Sequence, residues 1–254
     1  MSFRSIQRGK WHSYELDGQR IPSVTALISA GTPKPNLIDW AAKSAAEYAA
    51  DNLDTLARLE RDAIVDAIKT AHRRTTTAAA LKGGEIHATC EQLLAGKTAE
   101  YPAEHEGYIN SYMQWLEDWG PQVIAVEAPV CNRRWRYGGR FDLLAQLDGQ
   151  QGIVDVKTGG SGVWPETCLQ LAAYRAAETM LDPNNQEIPM PDTQMGWALW
   201  LRDDGYELLP VECGFDVFAV FRHVAHVAAW MERAKTKDNL IGLPLAPPPA
   251  AVVS

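Results

Sequence analysis

Residues 137–157 read YGGRFDLLAQLDGQQGIVDVK, and how this stretch is divided decides the fold. Asp148-Gly149 is a two-residue turn signal between two apolar, β-branched and aromatic runs, which predicts a tight hairpin of two strands. Upstream, QVIAVEAPVCN (122–132) reads as a third strand, joined through a turn after Asn132, so the three form a meander. Strand side chains alternate between faces, so Asp155 and Lys157 share one face while Ile153, Val154 and Val156 supply packing. Antiparallel pairing of the two runs brings Asp142 towards Asp155. Two carboxylates on neighbouring strands repel unless a cation lies between them, and a hard divalent ion with oxygen ligands meets that need. A lysine two residues beyond the second carboxylate would stand beside such an ion and orient a nucleophile, which suits phosphodiester chemistry.

Outward from the meander, the pattern is helical on the amino-terminal side. Asp17-Gly18 sits in a hairpin, Ser23 caps a short helix, Pro33 and Pro35 break it, and helical spacing resumes from Asn36 to Asn52 and again over 53–74. Residues 75–96 read as a helix interrupted at Gly83-Gly84, and 104–120 as another that ends at Gly120. After the meander come a helix from Trp164 to Met180, a hairpin across Asp204-Gly205, a last helix from Asp216, and a proline-rich tail. The expected class is α/β, a central mixed sheet flanked by helices with a helical amino-terminal extension. The divisions are 1–74 (hairpin and helical extension), 75–235 (core) and 236–254 (disordered tail).

With 254 residues, 46% hydrophobic content and nine tryptophans, the chain can bury a substantial core. It contains no apolar run of membrane-spanning length, and MSFRSIQRGKWHS lacks a signal peptide's apolar stretch, so a cytoplasmic protein without membrane partners is expected. The cysteines Cys90, Cys131, Cys168 and Cys213 form no C-x-x-C pair, and no iron–sulfur cluster is expected. A formal charge of −8 argues against a protein that coats nucleic acid through global positive charge. Local basic groups do occur: Arg73 and Arg74 beside His72, Lys82, and the cluster Arg133, Arg134, Arg136 and Arg140. Each reads either as a DNA phosphate contact or as solvated surface charge. Trp135, Tyr137 and Trp164 are candidates either for stacking on unpaired bases or for the core.

Four motifs follow in order: Gly84 to His87 (G-x-x-H), Gly138 to Asp142 (G-G-x-x-D), Asp155 to Lys157 (D-x-K) and Gln170 to Tyr174 (Q-x-x-x-Y). Over about residues 80–180 this set resembles the RecB-like branch of the PD-(D/E)XK (restriction-endonuclease-like) nuclease superfamily. YELDGQRIPSVTALI and LIDWAA resemble phage-type exonucleases of that branch.

The resemblance implies a metal-dependent deoxyribonuclease that resects duplex DNA ends for recombination or repair. It implies magnesium or manganese, one or two ions, held by His87, Asp142, Asp155 and the carbonyl of Val156. Lys157 would assist the attacking water, with Gln170 and Tyr174 turned towards the site. Glu91, one helical turn after His87, is a possible supporting partner, and Glu127 either touches the ion or pairs with an arginine. A single-strand annealing protein and a homo-oligomer are the implied partners besides DNA ends or single strands. The alternatives are a structure-selective endonuclease and a catalytically silent DNA- or partner-binding protein of the same fold.

Overall fold

The computed structural model describes residues 2–8, 11–235 and 240–245. Most of the proline-rich tail, for which disorder was expected, therefore lies outside the described residues; within it, 240–245 form neither helix nor strand.

The meander is present as expected: β4 (Gln122–Asn132), β5 (Tyr137–Leu147) and β6 (Gln150–Lys157) pair antiparallel in succession. The β5–β6 turn carries Asp148 and Gly149 at φ 46° and 76°, the left-handed pair that a two-residue hairpin turn demands. At the β4–β5 turn the Asn132 Oδ1 accepts the Trp135 N–H at 2.9 Å, a local side-chain turn. The strands β7 (Thr179–Leu181), β8 (Glu187–Pro189), β9 (Met195–Arg202) and β10 (Gly205–Pro210) extend this to seven strands in the order β10-β9-β6-β5-β4-β7-β8. Only the β6–β9 pairing is parallel, so the sheet is mixed. Its crossover is α7 (Glu166–Arg175) with β7 and β8.

Helices cover both faces. On one lie α1 (Val24–Gly31), α7 and α8 (Phe215–Ala234), packing Val24, Leu171 and Phe221 against Tyr137, Leu144 and Ile153. On the other lie α5 (Ala71–Leu94) and α6 (Glu106–Trp119), packing Ile86, Cys90, Tyr112 and Trp115 against Leu143, Val154 and Val156. The alternation of Ile153 with Val154 and Val156 thus divides β6 between two cores. Gly120, at φ 51°, ends α6 in the left-handed conformation typical of a helix stop.

A separate sheet of β1 (Phe3–Arg8), β2 (Trp11–Leu16) and β3 (Gln19–Ile21) docks where Gly138 donates to the Pro22 carbonyl at 3.0 Å. A Cβ at Gly138 would meet the Tyr14 ring at 2.5 Å, and one at Gly139 the Tyr174 ring at 2.4 Å. The glycine pair therefore admits two aromatic rings from neighbouring elements.

Three local expectations require correction. The helix expected over 53–74 is broken into α3 (Leu53–Leu56), α4 (Arg61–Lys69) and the start of α5, following α2 (Pro35–Asp51). Arg58 and Leu59 make tighter i→i−3 bonds, and Thr70 Oγ1 bonds back to the Asp66 carbonyl at 2.7 Å. Gly83-Gly84 does not interrupt α5, which runs unbroken through both. A Cβ at Gly83 would lie 3.1 Å from Thr158 Oγ1, so close helix-to-loop approach accounts for that glycine. Finally, α7 stops at Arg175 rather than reaching Met180, because Asn132 Nδ2 takes the Ala176 carbonyl at 2.6 Å and Met180 joins the edge of β4 opposite Val130.

Candidate active site

The β5–β6 ladder ends at Leu143–Val154, one step before Asp142 would oppose Asp155. There the side chain replaces the backbone: Asp142 Oδ2 accepts the Val156 N–H at 2.8 Å. On the other side of β5, the register Val126–Leu143 and Ala128–Phe141 sets Glu127 opposite Asp142. His87 reaches the same place from α5, with Nδ1 3.6 Å from Asp142 Oδ2. One ligand atom each from His87, Glu127 and Asp142 lies within 4.8 Å of the others. These three residues line a cavity of about 20 Å3, shared with Cys90, Glu91, Tyr112 and Val156. That volume is the size of one water or one ion.

Acidic groups crowd the cluster. Burial raises the Glu127 carboxyl to about 7, with Asp142 and Glu91 adding to the rise and Arg140 opposing it. A cation would relieve the crowding at Glu127, and carboxylate oxygens with one imidazole could hold a divalent ion.

Asp155 does not line this cavity, although Asp142 and His87 both act on its charge. By alternation it faces α7, where Gln170 Nε2 donates to its Oδ1 at 3.0 Å and Lys157 Nζ lies 2.5 Å from its Oδ2. Only 2% of Asp155 is exposed. Burial pushes its carboxyl up to about 6, opposed by Lys157 and aided by Asp142. Burial also draws the Lys157 ammonium down, but Asp155 and Asp142 outweigh it and leave Lys157 raised, hence charged at neutral pH. Gln170 holds both partners: its Nε2 also donates to Tyr174 Oη at 3.2 Å, and its Oε1 lies 3.5 Å from Lys157 Nζ. Tyr174 is buried and, by desolvation first and Asp155 second, held well above ordinary phenol values.

Two groups therefore meet back to back across the ends of β5 and β6. His87, Glu127 and Asp142 line the cavity with Glu91 and Val156; Asp155, Lys157, Gln170 and Tyr174 form the adjoining hydrogen-bonded network, within reach of the Asp142 charge. The sequence grouped Asp155 with the ion-facing set and left Glu127 divided between an ion and an arginine. Glu127 pairs with an arginine, Arg140 Nε lying 2.6 Å from its Oε2, and it also lies in the His87–Asp142 cluster. The sequence reading did not single out Cys90 and Tyr112 as lining residues; the i, i+3 spacing of Cys90 from His87 was the available signal.

The basic residues separate in the same way. Arg133 is ion-paired with Glu187, and Arg140 with Glu127, and both are about a quarter exposed. Arg134 and Arg136 are exposed; the first lies over the Trp135 ring, and the second donates to Gln19 Oε1 at 2.8 Å. Arg73 is exposed, Arg74 lies over Tyr48, and Lys82 over Tyr108. Tyr137 is fully buried, whereas Trp135 and Trp164 are 41% and 52% exposed. A groove of about 520 Å3 shares Glu91, Val126 and Glu127 with the small cavity and opens alongside His12 and Arg140.

No helix of the described residues is long and apolar enough to cross a membrane. No family model matches the sequence, and no curated protein does. Among solved structures, an alkaline exonuclease from Laribacter hongkongensis is similar at 16% identity and a TM-score of 0.35, over 58% of this chain and 77% of that one.

Proposed function

We propose that this chain is a divalent-metal-dependent deoxyribonuclease of the PD-(D/E)XK type, RecB-like branch, which resects the ends of duplex DNA for phage-type recombination or repair. The observation that carries the reading is the paired arrangement of an ion-sized acidic cavity at His87, Glu127 and Asp142 with a charged Lys157 held against Asp155. The ordered motifs around Gly84, Gly138, Asp155 and Gln170 supply the family and the DNA-end substrate.

A magnesium or manganese ion, when bound there, would supply Lewis acidity towards a phosphoryl oxygen and would make water a stronger acid at neutral pH. His87, Glu127, Asp142 and the Val156 carbonyl would hold it, and Asp155, bonded to Gln170 and paired with Lys157, would fix the lysine beside them. Lys157, cationic and fixed by Asp155 and Gln170, orients the attacking water and offsets the negative charge that grows on the phosphate. Gln170 keeps the ammonium and carboxylate in register, and the Tyr174 hydroxyl accepts its second amide N–H. The groove beside Glu127 gives a DNA strand access to the cavity, and the exposed Arg134 and Arg136 suit phosphate contacts outside it. A single-strand annealing protein and a ring-shaped homo-oligomer are partners consistent with end resection.

The test compares end-labelled linear duplex DNA with covalently closed circles in magnesium. Mononucleotides or short products from the linear form alone support an exonuclease. Cutting of both forms would move the reading to a structure-selective endonuclease, and binding without cutting in either metal would leave a silent DNA-binding protein.

A further inference from the structure

Arg140 stands two residues before Asp142 on β5, opposite Pro129, and therefore diagonal to Glu127 across the β4–β5 ladder. Its Nε lies 2.6 Å from Glu127 Oε2, and its Nη1 lies 3.0 Å from Nε2 and 3.3 Å from Nδ1 of His12, on β2 of the separate amino-terminal sheet. Both side chains of the ion pair are largely screened from water, Arg140 at 24% and Glu127 at 22% exposure. The backbone beneath Glu127 is strained as well. In the middle of a strand Glu127 has φ 49°, a left-handed conformation that costs a side-chain-bearing residue about 1–2 kcal/mol. It also lies directly across from the like-charged Asp142. Strain and repulsion at one residue persist only where a neighbour holds it, and the neighbour in contact is the Arg140 guanidinium.

We propose that Arg140 is a positioning residue that holds Glu127 in the ion cavity, braced from behind by His12 of the amino-terminal hairpin. The inference rests on reading the cavity as a divalent-ion site, and it reassigns Arg140 from the DNA phosphates to the cavity wall. A ligand carboxylate is oriented by what binds its other oxygen, and loss of such a partner lowers metal affinity by about 10–100-fold. It also gives the hairpin a function: through His12 and Arg140, a sheet outside the main core sets the geometry of the ion site.

The experiment is a titration of the metal-free protein with Mn2+, followed by paramagnetic resonance or calorimetry, on wild type, Arg140→Gln, Arg140→Lys, Glu127→Gln and the double variant Arg140→Gln/Glu127→Gln. Arg140→Gln is expected to weaken binding by about 10–100-fold. Arg140→Lys should restore part of that loss, because it returns the charge without the guanidinium's fork. In the Glu127→Gln background, Arg140→Gln should add no more than about a twofold further loss, because both changes act through one carboxylate. Multiplicative losses, or an Arg140→Gln protein that binds Mn2+ as wild type does while losing affinity for DNA, would overturn the proposal and return Arg140 to the phosphates. Should Arg140→Gln fail to fold, the same cycle on His12→Ala decides, with a smaller loss expected that likewise vanishes in the Glu127→Gln background. Wild-type protein that takes up no Mn2+ would overturn the ion site itself, which is distinguishable from failure of the Arg140 role alone.

Discussion

The metal-free protein should lose stability as the pH rises, through Glu127. Its carboxyl is raised to about 7 in the folded state by burial first and by Asp142 next, whereas an unfolded glutamate titrates near 4.5. Between those values the folded form holds a proton that the unfolded form has given up, so the stability Glu127 contributes is complete below the unfolded value. It is lost as the pH climbs through the folded one. The full shift corresponds to about 3 kcal/mol, at about 1.4 kcal/mol per pH unit. For a chain of this size that amounts to a melting-temperature change of about 6–12 °C. Thermal unfolding in chelator at about pH 5 and about pH 8, for wild type and Glu127→Gln, isolates the effect, because glutamine mimics the protonated acid at both. Wild type should fall relative to the variant on going to the higher pH, and millimolar Mn2+ should reverse the fall in wild type. If the two proteins change in parallel and Mn2+ leaves both unmoved, the carboxylates are not crowded around a cation site.

Other consequences follow from the same geometry. Lys157→Ala should lower cleavage by about 10²–10⁴-fold while leaving Mn2+ affinity nearly intact, as single-turnover rates and a metal titration will report, because Lys157 is paired with Asp155 and Gln170 and is not among the groups proposed to hold the ion. Gly139→Ala places a Cβ 2.4 Å from the Tyr174 ring and should destabilise the fold by about 1–3 kcal/mol in denaturant unfolding, with cleavage reduced because that ring underlies Gln170. Arg133→Ala, which leaves Glu187 with Thr179 and the Phe3 N–H but without its counter-charge, should lower the melting temperature more than DNA affinity. Arg134→Ala and Arg136→Ala should lower DNA affinity and its salt dependence at unchanged stability.

Much of this arrangement was legible in the chain. The turn at Asp148-Gly149 and the two-residue alternation fix which residues of β6 share a face, and from that the approach of Asp142 to Asp155 follows. Helix Ala71–Leu94 was harder, since Gly83 suggests a break unless the loop carrying Thr158 is known to press against it. The end of α7 is set by Asn132 and by β7 pairing with β4, contacts more than forty residues away in sequence that leave no local pattern. The site divided along the same line. Motif spacing assembled His87, Asp142, Asp155 and Lys157, but that Glu127 rather than Asp155 joins His87 and Asp142 at the cavity depends on which face of the sheet each side chain meets. Glu127 occupies its position through a left-handed backbone and an arginine from the next strand, neither of which periodicity predicts.

The most direct test of the central claim is the cleavage rate of linear duplex DNA by wild type and Asp142→Ala in magnesium and in excess chelator. The account predicts cleavage by wild type in magnesium alone, none by either protein in chelator, and none by Asp142→Ala in any metal. Cleavage that survives the chelator, or that Asp142→Ala retains in full, would contradict it.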